Sequence, residues 1–271
     1  MKILDGRELA GFVKERQAHE VNMLRGRGIQ PTLLILRDSD NPVITKYVNL
    51  KKTYGEDIGI NVIDKSVDSI EEAINEIKKA NSNIKISGII VQLPLKDIAR
   101  TDEVVNLIAP EKDVDGLNKT VPDAERKFDS ATATAINWLL TGYNIELADK
   151  KIAIVGRGRL VGAPLERMWK NSGLDVTTFH QGDDLTKLRE YAIIISATGV
   201  PHLISDEIVA PGTVLVDAGT ASEGGVLVGD VDDSLRERTD LMAITPRVGG
   251  VGPLTVGVLF EDVIKAATLE K

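Results

Sequence analysis

The chain has no cysteine, only three histidines, and few aromatics: four phenylalanines, four tyrosines and two tryptophans among 271 residues. Without cysteine there is no disulfide, no thiolate nucleophile and no cysteine-bound metal, and a reducing compartment is a natural setting. His19, His180 and His202 stand apart without ligand spacing, so no metal site is expected. Long apolar runs are missing as well. Ile152-Ala153-Ile154-Val155 and Val256-Gly257-Val258-Leu259-Phe260 fall far short of the ~20 residues needed to cross a bilayer. No apolar signal segment follows the start, which runs directly into Asp5-Gly6-Arg7-Glu8-Leu9, so a cytoplasmic protein without a membrane partner is expected. A net charge of −8 with no compensating basic patch argues against nucleic acid.

What is present is ordinary for a folded enzyme, with 42% hydrophobic and 27% charged residues. Short apolar runs alternate with helix-period segments nearly throughout, the pattern of parallel strands covered by helices. The expected fold is α/β, with two three-layer α/β/α lobes and a cleft between them. A leading helix near Gly6–Leu24 precedes strands at Thr32–Arg37, Asn61–Ile63 and Ser87–Gln92. Helices fall around Ile44–Asp57 and Ser69–Lys79, the latter opened by the capping pair Ser69 and Glu72. Periodicity fails from Pro110 to Ser130, which marks a crossing between lobes. Further strands are expected near Lys151–Val155, Asp175–His180, Ala192–Ser196, Thr213–Asp217 and Leu241–Ile244. The apolar-faced segment Gly252–Ala267 reads as a final helix. The domains are therefore placed at 1–119 with the C-terminal helix 253–271, and at 120–252.

The second lobe opens on a strand followed by Gly156-Arg157-Gly158-Arg159-Leu160-Val161-Gly162 and a helix start. Strand, glycine loop and helix N-terminus together hold a pyrophosphate, because free backbone N–H groups and the helix dipole face the anion. The spacing is one residue longer than the commonest fingerprint, and alone it would also suit a tight βα turn. The strand–helix series that follows makes it a Rossmann-type dinucleotide loop. No acid appears at the end of the next strand until Asp183, whereas Arg157 and Arg159 supply cations suited to a 2′-phosphate, so NADP is preferred over NAD.

In the first lobe, Tyr47 and Lys51 are four residues apart, which places a phenol and an ammonium on one helix face. A partly desolvated lysine there can shuttle a proton. The spacing also arises by chance, and Lys52 with Tyr54 offers a rival pair. Gln92 ends a strand before Leu93-Pro94-Leu95, where α/β sheets place ligands. Asp113 and Asp115 flank Val114 before Gly116, a turn that can present a carboxylate or simply cap itself.

In order, five segments resemble the bifunctional methylenetetrahydrofolate dehydrogenase/cyclohydrolase family over essentially the whole chain. They are Tyr47-Val48-Asn49-Leu50-Lys51, Gly88-Ile89-Ile90-Val91-Gln92-Leu93-Pro94-Leu95 and Pro110-Glu111-Lys112-Asp113-Val114-Asp115-Gly116, then Val155-Gly156-Arg157-Gly158 with Val161-Gly162-Ala163-Pro164, and Gly249-Gly250-Val251-Gly252-Pro253-Leu254-Thr255. The resemblance implies an enzyme of one-carbon metabolism. It would oxidise 5,10-methylenetetrahydrofolate with NADP and hydrolyse the methenyl product to 10-formyltetrahydrofolate. Lys51 would be central to the hydrolysis and Gln92 would hold and tune it. Tyr47 would stack on the folate, Asp115 would accept from the pterin N–H groups, and Leu93, Gly250 and Pro253 would complete the substrate site. Gly156, Arg157, Gly158, Arg159, Val161 and Gly162 would bind the cofactor, with Thr198, Gly199 and Gly219 on its nicotinamide side. A homodimer is implied.

The chain departs from the family pattern in places. Gly158 replaces a usual serine, Ser130-Ala131-Thr132-Ala133-Thr134-Ala135 replaces a Pro-Cys-Thr-Pro-x-Gly segment, Pro246-Arg247-Val248 replaces Pro-Val-Pro, and Gln181 stands where a serine often helps with the 2′-phosphate. A dehydrogenase without cyclohydrolase activity, a non-catalytic NADP-binding regulator, and a shikimate-type dehydrogenase are the alternatives. The retained Lys51, Gln92 and Tyr47 oppose the first two, and the Val-Gln-Leu-Pro-Leu and Asp-Val-Asp-Gly segments oppose the third. A short-chain dehydrogenase would carry its tyrosine–lysine pair after the glycine loop, not before it.

Overall fold

The computed structural model describes residues 1–219, 221–223 and 226–269. In chain order the elements are β1 (Lys2–Ile3), α1 (Gly6–Gly26), β2 (Thr32–Arg37), α2 (Pro42–Ile58), β3 (Asn61–Ser66), α3 (Ile70–Ser82), β4 (Gly88–Val91) and α4 (Thr101–Val105). There follow α5 (Ala131–Gly142), β5 (Ile152–Val155), α6 (Gly162–Asn171), β6 (Val176–Phe179), β7 (Ile193–Ser196) and β8 (Val214–Asp217). The chain closes with β9 (Ala221–Glu223), β10 (Val226–Val228), β11 (Ala243–Ile244) and α7 (Val251–Thr268).

The chain separates into two compact units, Gly11–Ala131 with Val256–Lys271, and Met1–Ala10 with Thr132–Thr255. The first is built on a parallel sheet in the order β3-β2-β4. Its central strand and β4 are apolar runs buried along their lengths, as strands covered on both faces must be. β3 lies at the edge and tolerates Asp64 and Lys65, which is why it extends to Ser66, past the apolar stretch that marks it in sequence. Asp64 accepts from Arg37 on β2 at 2.8 Å. Sequence and structure agree on α2 and α3 to within a few residues. Asn41 caps α2 by accepting from Val43 N–H at 2.8 Å, with Pro42 in the first turn. Ser69 Oγ accepts from Glu72 N–H at 3.1 Å, while the Glu72 carboxylate reaches back to Asp68 N–H at 2.9 Å. The expected capping pair thus closes one residue earlier than in its usual form.

The second unit holds a sheet in the order β1-β11-β8-β7-β5-β6, parallel throughout, and a small antiparallel pair β9–β10. From β5 the chain runs first to β6 on one side and then to β7 on the other, so the order reverses between β5 and β7. That reversal is where open α/β sheets bind ligands, at the carboxyl ends of the strands. The N-terminal residues join this sheet: Lys2 and Ile3 pair with Ala243 and Ile244, although the sequence division grouped residues 1–119 together. The longest element without a counterpart in the sequence reading is α5. Ala131–Gly142 is a helix with Ala131, Ala133, Ala135, Ile136, Leu139 and Leu140 buried, and its opening Ala-Thr alternation hides the helical period. Among the described residues no helix is long and apolar enough to cross a membrane.

Candidate active site

In the first unit Lys51 lies on α2, and Gln92 follows the last residue of β4. Their sequence separation is large, yet Lys51 Nζ donates to Gln92 Oε1 at 2.8 Å. Lys51 is only partly exposed to solvent, and burial pushes its pKa down, while the charge of Asp115 pulls it up. Burial likewise pushes Asp115 up, against the attraction of Lys51. Desolvation therefore outweighs attraction at both partners and drives each toward its neutral form. A lysine held toward its neutral form can take up a proton and return it at a reacting centre. Tyr47 sits one helical turn before Lys51 and is half-buried. Leu93 is half-buried, and the Leu93–Pro94 peptide is cis.

The loop that presents Asp115 is held by three neighbours, of which the sequence singles out only Asp113. Lys112 is buried, and its ammonium donates to the carbonyl oxygens of Ala80, Asn81 and Asn83 at 2.7, 2.9 and 2.9 Å, capping the end of α3. Asp113 accepts from Leu117 N–H at 3.2 Å and Asn118 N–H at 2.8 Å. Burial pushes its carboxyl up to about 6, although those two donors favour the charged form. Asn118 donates from Nδ2 to Asn106 O and Ile108 O. Of the two aspartates weighed in this turn, Asp113 is the one that caps the loop.

The second unit places the glycine loop at the end of β5, at the sheet's switch point. Gly156 has φ +95°, and a side chain there would meet Ala197 O at 2.6 Å, on the segment after β7. A Cβ on Gly162 would collide with Gly156 O, whereas one on Gly158 would meet open space. The loop thus closes tightly at both ends and is open in its middle, so the usual serine at the Gly158 position would fit here too. Val161 is the N-cap of α6 and offers no side-chain acceptor, and the first turn carries no acid. An anion is the natural partner of such an end. Arg157 is exposed and donates to Glu166 at 2.7 Å; Arg159 is half-buried. Burial alone would raise Glu166, but hydrogen bonds from Arg157 and Lys170 outweigh it and hold the carboxyl at about 2. Nothing local in the sequence marks this clamp of Glu166 on Arg157, although Glu166 and Lys170 carry an i, i+4 signature. On neighbouring strand ends, Thr198 and Gly199 follow β7 and Gly219 follows β8; Gly250 and Pro253 lie at the start of α7.

A dinucleotide loop at a parallel-sheet switch point, and a separate desolvated lysine–amide–carboxylate cluster, define a two-unit α/β enzyme of the dinucleotide-dependent class. Comparison with known proteins makes the class specific. Residues 4–115 match the tetrahydrofolate dehydrogenase/cyclohydrolase catalytic domain, and residues 130–271 match the NAD(P)-binding domain of the same family. The chain belongs to the tetrahydrofolate dehydrogenase/cyclohydrolase family. It is 37% identical over 276 residues to the bifunctional protein FolD of Aquifex aeolicus, covering 97% of this chain and 94% of that one. The crystal structure of the bifunctional FolD enzyme of Campylobacter jejuni superposes with a TM-score of 0.92 at 32% identity, covering 98% of each chain. The Trypanosoma brucei dehydrogenase-cyclohydrolase, solved with NADP cofactor and an inhibitor, gives 0.89 at 28% identity, covering 98% of this chain and 96% of that one.

Proposed function

We propose that the protein is a bifunctional enzyme of one-carbon metabolism. It oxidises 5,10-methylenetetrahydrofolate to the 5,10-methenyl form with NADP, then hydrolyses that product to 10-formyltetrahydrofolate. Family membership over both units supports this reading against a shikimate-type dehydrogenase or a non-catalytic regulator. The single observation that carries the hydrolytic half is the 2.8 Å bond from Lys51 Nζ to Gln92 Oε1 beside Asp115.

The cofactor fits the loop as observed: close backbone at Gly156 and Gly162, an uncapped helix start at Val161, and cations at Arg157 and Arg159. Bound there, NADP supplies the acceptor for one hydride. In the oxidation the substrate nitrogen's lone pair expels the hydride and becomes part of an iminium, so no protein base is required and placement is most of the catalysis. Thr198, Gly199 and Gly219 line that side in this reading. In the hydrolysis, water adds to the methenyl carbon and gives up both its protons as the carbonyl forms, the bond to the departing ring nitrogen breaks, and that nitrogen takes up one proton while the other leaves to solvent. Lys51, poised by burial toward its neutral form, relays these protons. Gln92 fixes the amine's direction, Tyr47 stacks on the folate, and Asp115 accepts from the pterin N–H edge. Leu93, Gly250 and Pro253 belong to the substrate site. We place the enzyme in the cytoplasm as a homodimer.

Purified protein given methylenetetrahydrofolate should reduce NADP and release formyltetrahydrofolate, with NAD a poorer acceptor. No reduction of either dinucleotide would sink the reading. Sedimentation at micromolar concentration should show twice the 29.3 kDa chain mass.

A further inference from the structure

Asp230 is fully buried, and it is outside every motif that marks the site in sequence. Its Oδ2 accepts from Ser196 Oγ and from Thr198 N–H, both at 2.7 Å. Ser196 ends β7 and pairs in register with Asp217, which ends β8. From the other side, the Asp230 carboxylate occupies the space that a side chain on Gly219 would need. The arrangement is reciprocal. The Asp217 carboxylate fills the corresponding space at Gly229, next to Asp230, and takes N–H groups from Gly219, Asp230 and Val231 at 3.1 to 3.2 Å. Arg236 Nη2 donates to Asp217 at 2.9 Å. Two carboxylates thus wedge the loops after β7 and β8 at a fixed separation.

Among the described residues, Asp230 Oδ1 has no hydrogen-bond partner. A buried carboxylate oxygen without a donor costs stability, and an apolar side chain would avoid that cost. A carboxylate retained in spite of it points to a requirement on loop geometry. We propose that Asp230 is a positioning residue for the dehydrogenase half of the reaction. It holds Thr198-Gly199 and Gly219 in the spacing that receives the nicotinamide end of the cofactor, without touching the cofactor itself. The proposal rests on the reading that these residues line the nicotinamide.

The test uses the full-length protein with two ligands, NADPH and the adenosine bisphosphate half of NADP, which has no nicotinamide. Asp230→Ala removes the acceptor of two hydrogen bonds and should weaken NADPH binding about ten-fold. Binding of the adenosine bisphosphate and hydrolysis of methenyltetrahydrofolate should stay near wild type. Asp230→Asn, whose amide oxygen can still accept from Ser196 and Thr198, should recover most of the NADPH affinity. Equal losses for both ligands, no loss at all, or an Asn variant as weak as Ala would each overturn the proposal. Should Asp230→Ala fail to fold, Ser196→Ala removes one donor only. It should then show a smaller loss confined to NADPH, and an unchanged affinity would be decisive against the idea. A wild type that binds neither ligand would remove the cofactor reading, and this proposal with it.

Discussion

The two units build their sites from different materials. In the first, the chemistry rests on side chains from separate elements, Lys51 on α2, Gln92 after β4 and Asp115 in a loop, joined by one 2.8 Å bond and a shared loss of solvent. In the second, the cofactor loop is shaped by backbone, and its critical contacts are those a Cβ would occupy at Gly156 and Gly162. The first site should therefore answer mainly to changes of charge, and the second mainly to changes of volume.

The largest effect should come from Lys51→Met, which keeps the stem and removes the amine. General acid–base catalysis contributes ~10²–10⁴-fold, so formyl production should fall by about that factor while NADP reduction continues and methenyl accumulates. Equal loss of both activities would merge the two sites and break the contrast. Next is Gly162→Ala in the cofactor unit, where the added methyl meets Gly156 O. Overpacking of this kind costs ~1–3 kcal/mol, and the expected readout is a ten-fold or greater loss of dinucleotide affinity with hydrolysis of methenyltetrahydrofolate retained. Gly158→Ala, facing open space, should bind the dinucleotide as the wild type does.

The same contrast decides what could be read from the sequence. The cofactor loop was legible because its determinants are local: an apolar strand, glycines at short spacing and a helix start lie within about a dozen residues. The first-unit site was not legible from local pattern, since Tyr47 with Lys51 has the same spacing as many solvated pairs. Only the order of several family segments singled it out, and only the fold brings Gln92 to Lys51. The supports stayed hidden for a further reason. Lys112 and Asn118 act on backbone groups distant in sequence, and Asp230 acts on Ser196 and Thr198 across 34 and 32 positions. Polar residues in a loop carry no periodicity that would separate a buried brace from a solvated turn.

The charge sensitivity of the first site can be sharpened by pH. Burial lowers the Lys51 pKa, and the Asp115 charge offsets part of that shift. If hydrolysis requires the neutral amine, kcat rises with pH through the Lys51 pKa. Asp115→Asn removes the attraction that favours the ammonium, so the rising limb should move to lower pH, even though folate binding weakens. A limb that stays in place would mean that Asp115 does not act on Lys51 as a charge or that the group titrating is not Lys51; a limb that moves to higher pH would contradict the sign of the attraction.

The smallest expected effect tests a place where the cofactor site uses a charged side chain. Arg157 is 57% exposed and tied to Glu166, and an exposed pair of this kind is worth ~0–1 kcal/mol to the fold. Arg157→Ala should therefore leave the melting temperature almost unchanged. If the guanidinium reads the 2′-phosphate, NADP affinity should fall by about ten-fold, the scale of one charge-assisted contact, while NAD affinity holds. Glu166→Gln should act in the opposite sense, since it removes the anion that competes with the phosphate for Arg157. A loss shared equally by NADP and NAD would place Arg157 on the common pyrophosphate instead. The preference between the two cofactors would then have to come from Arg159 or from the end of β6 at His180 and Gln181.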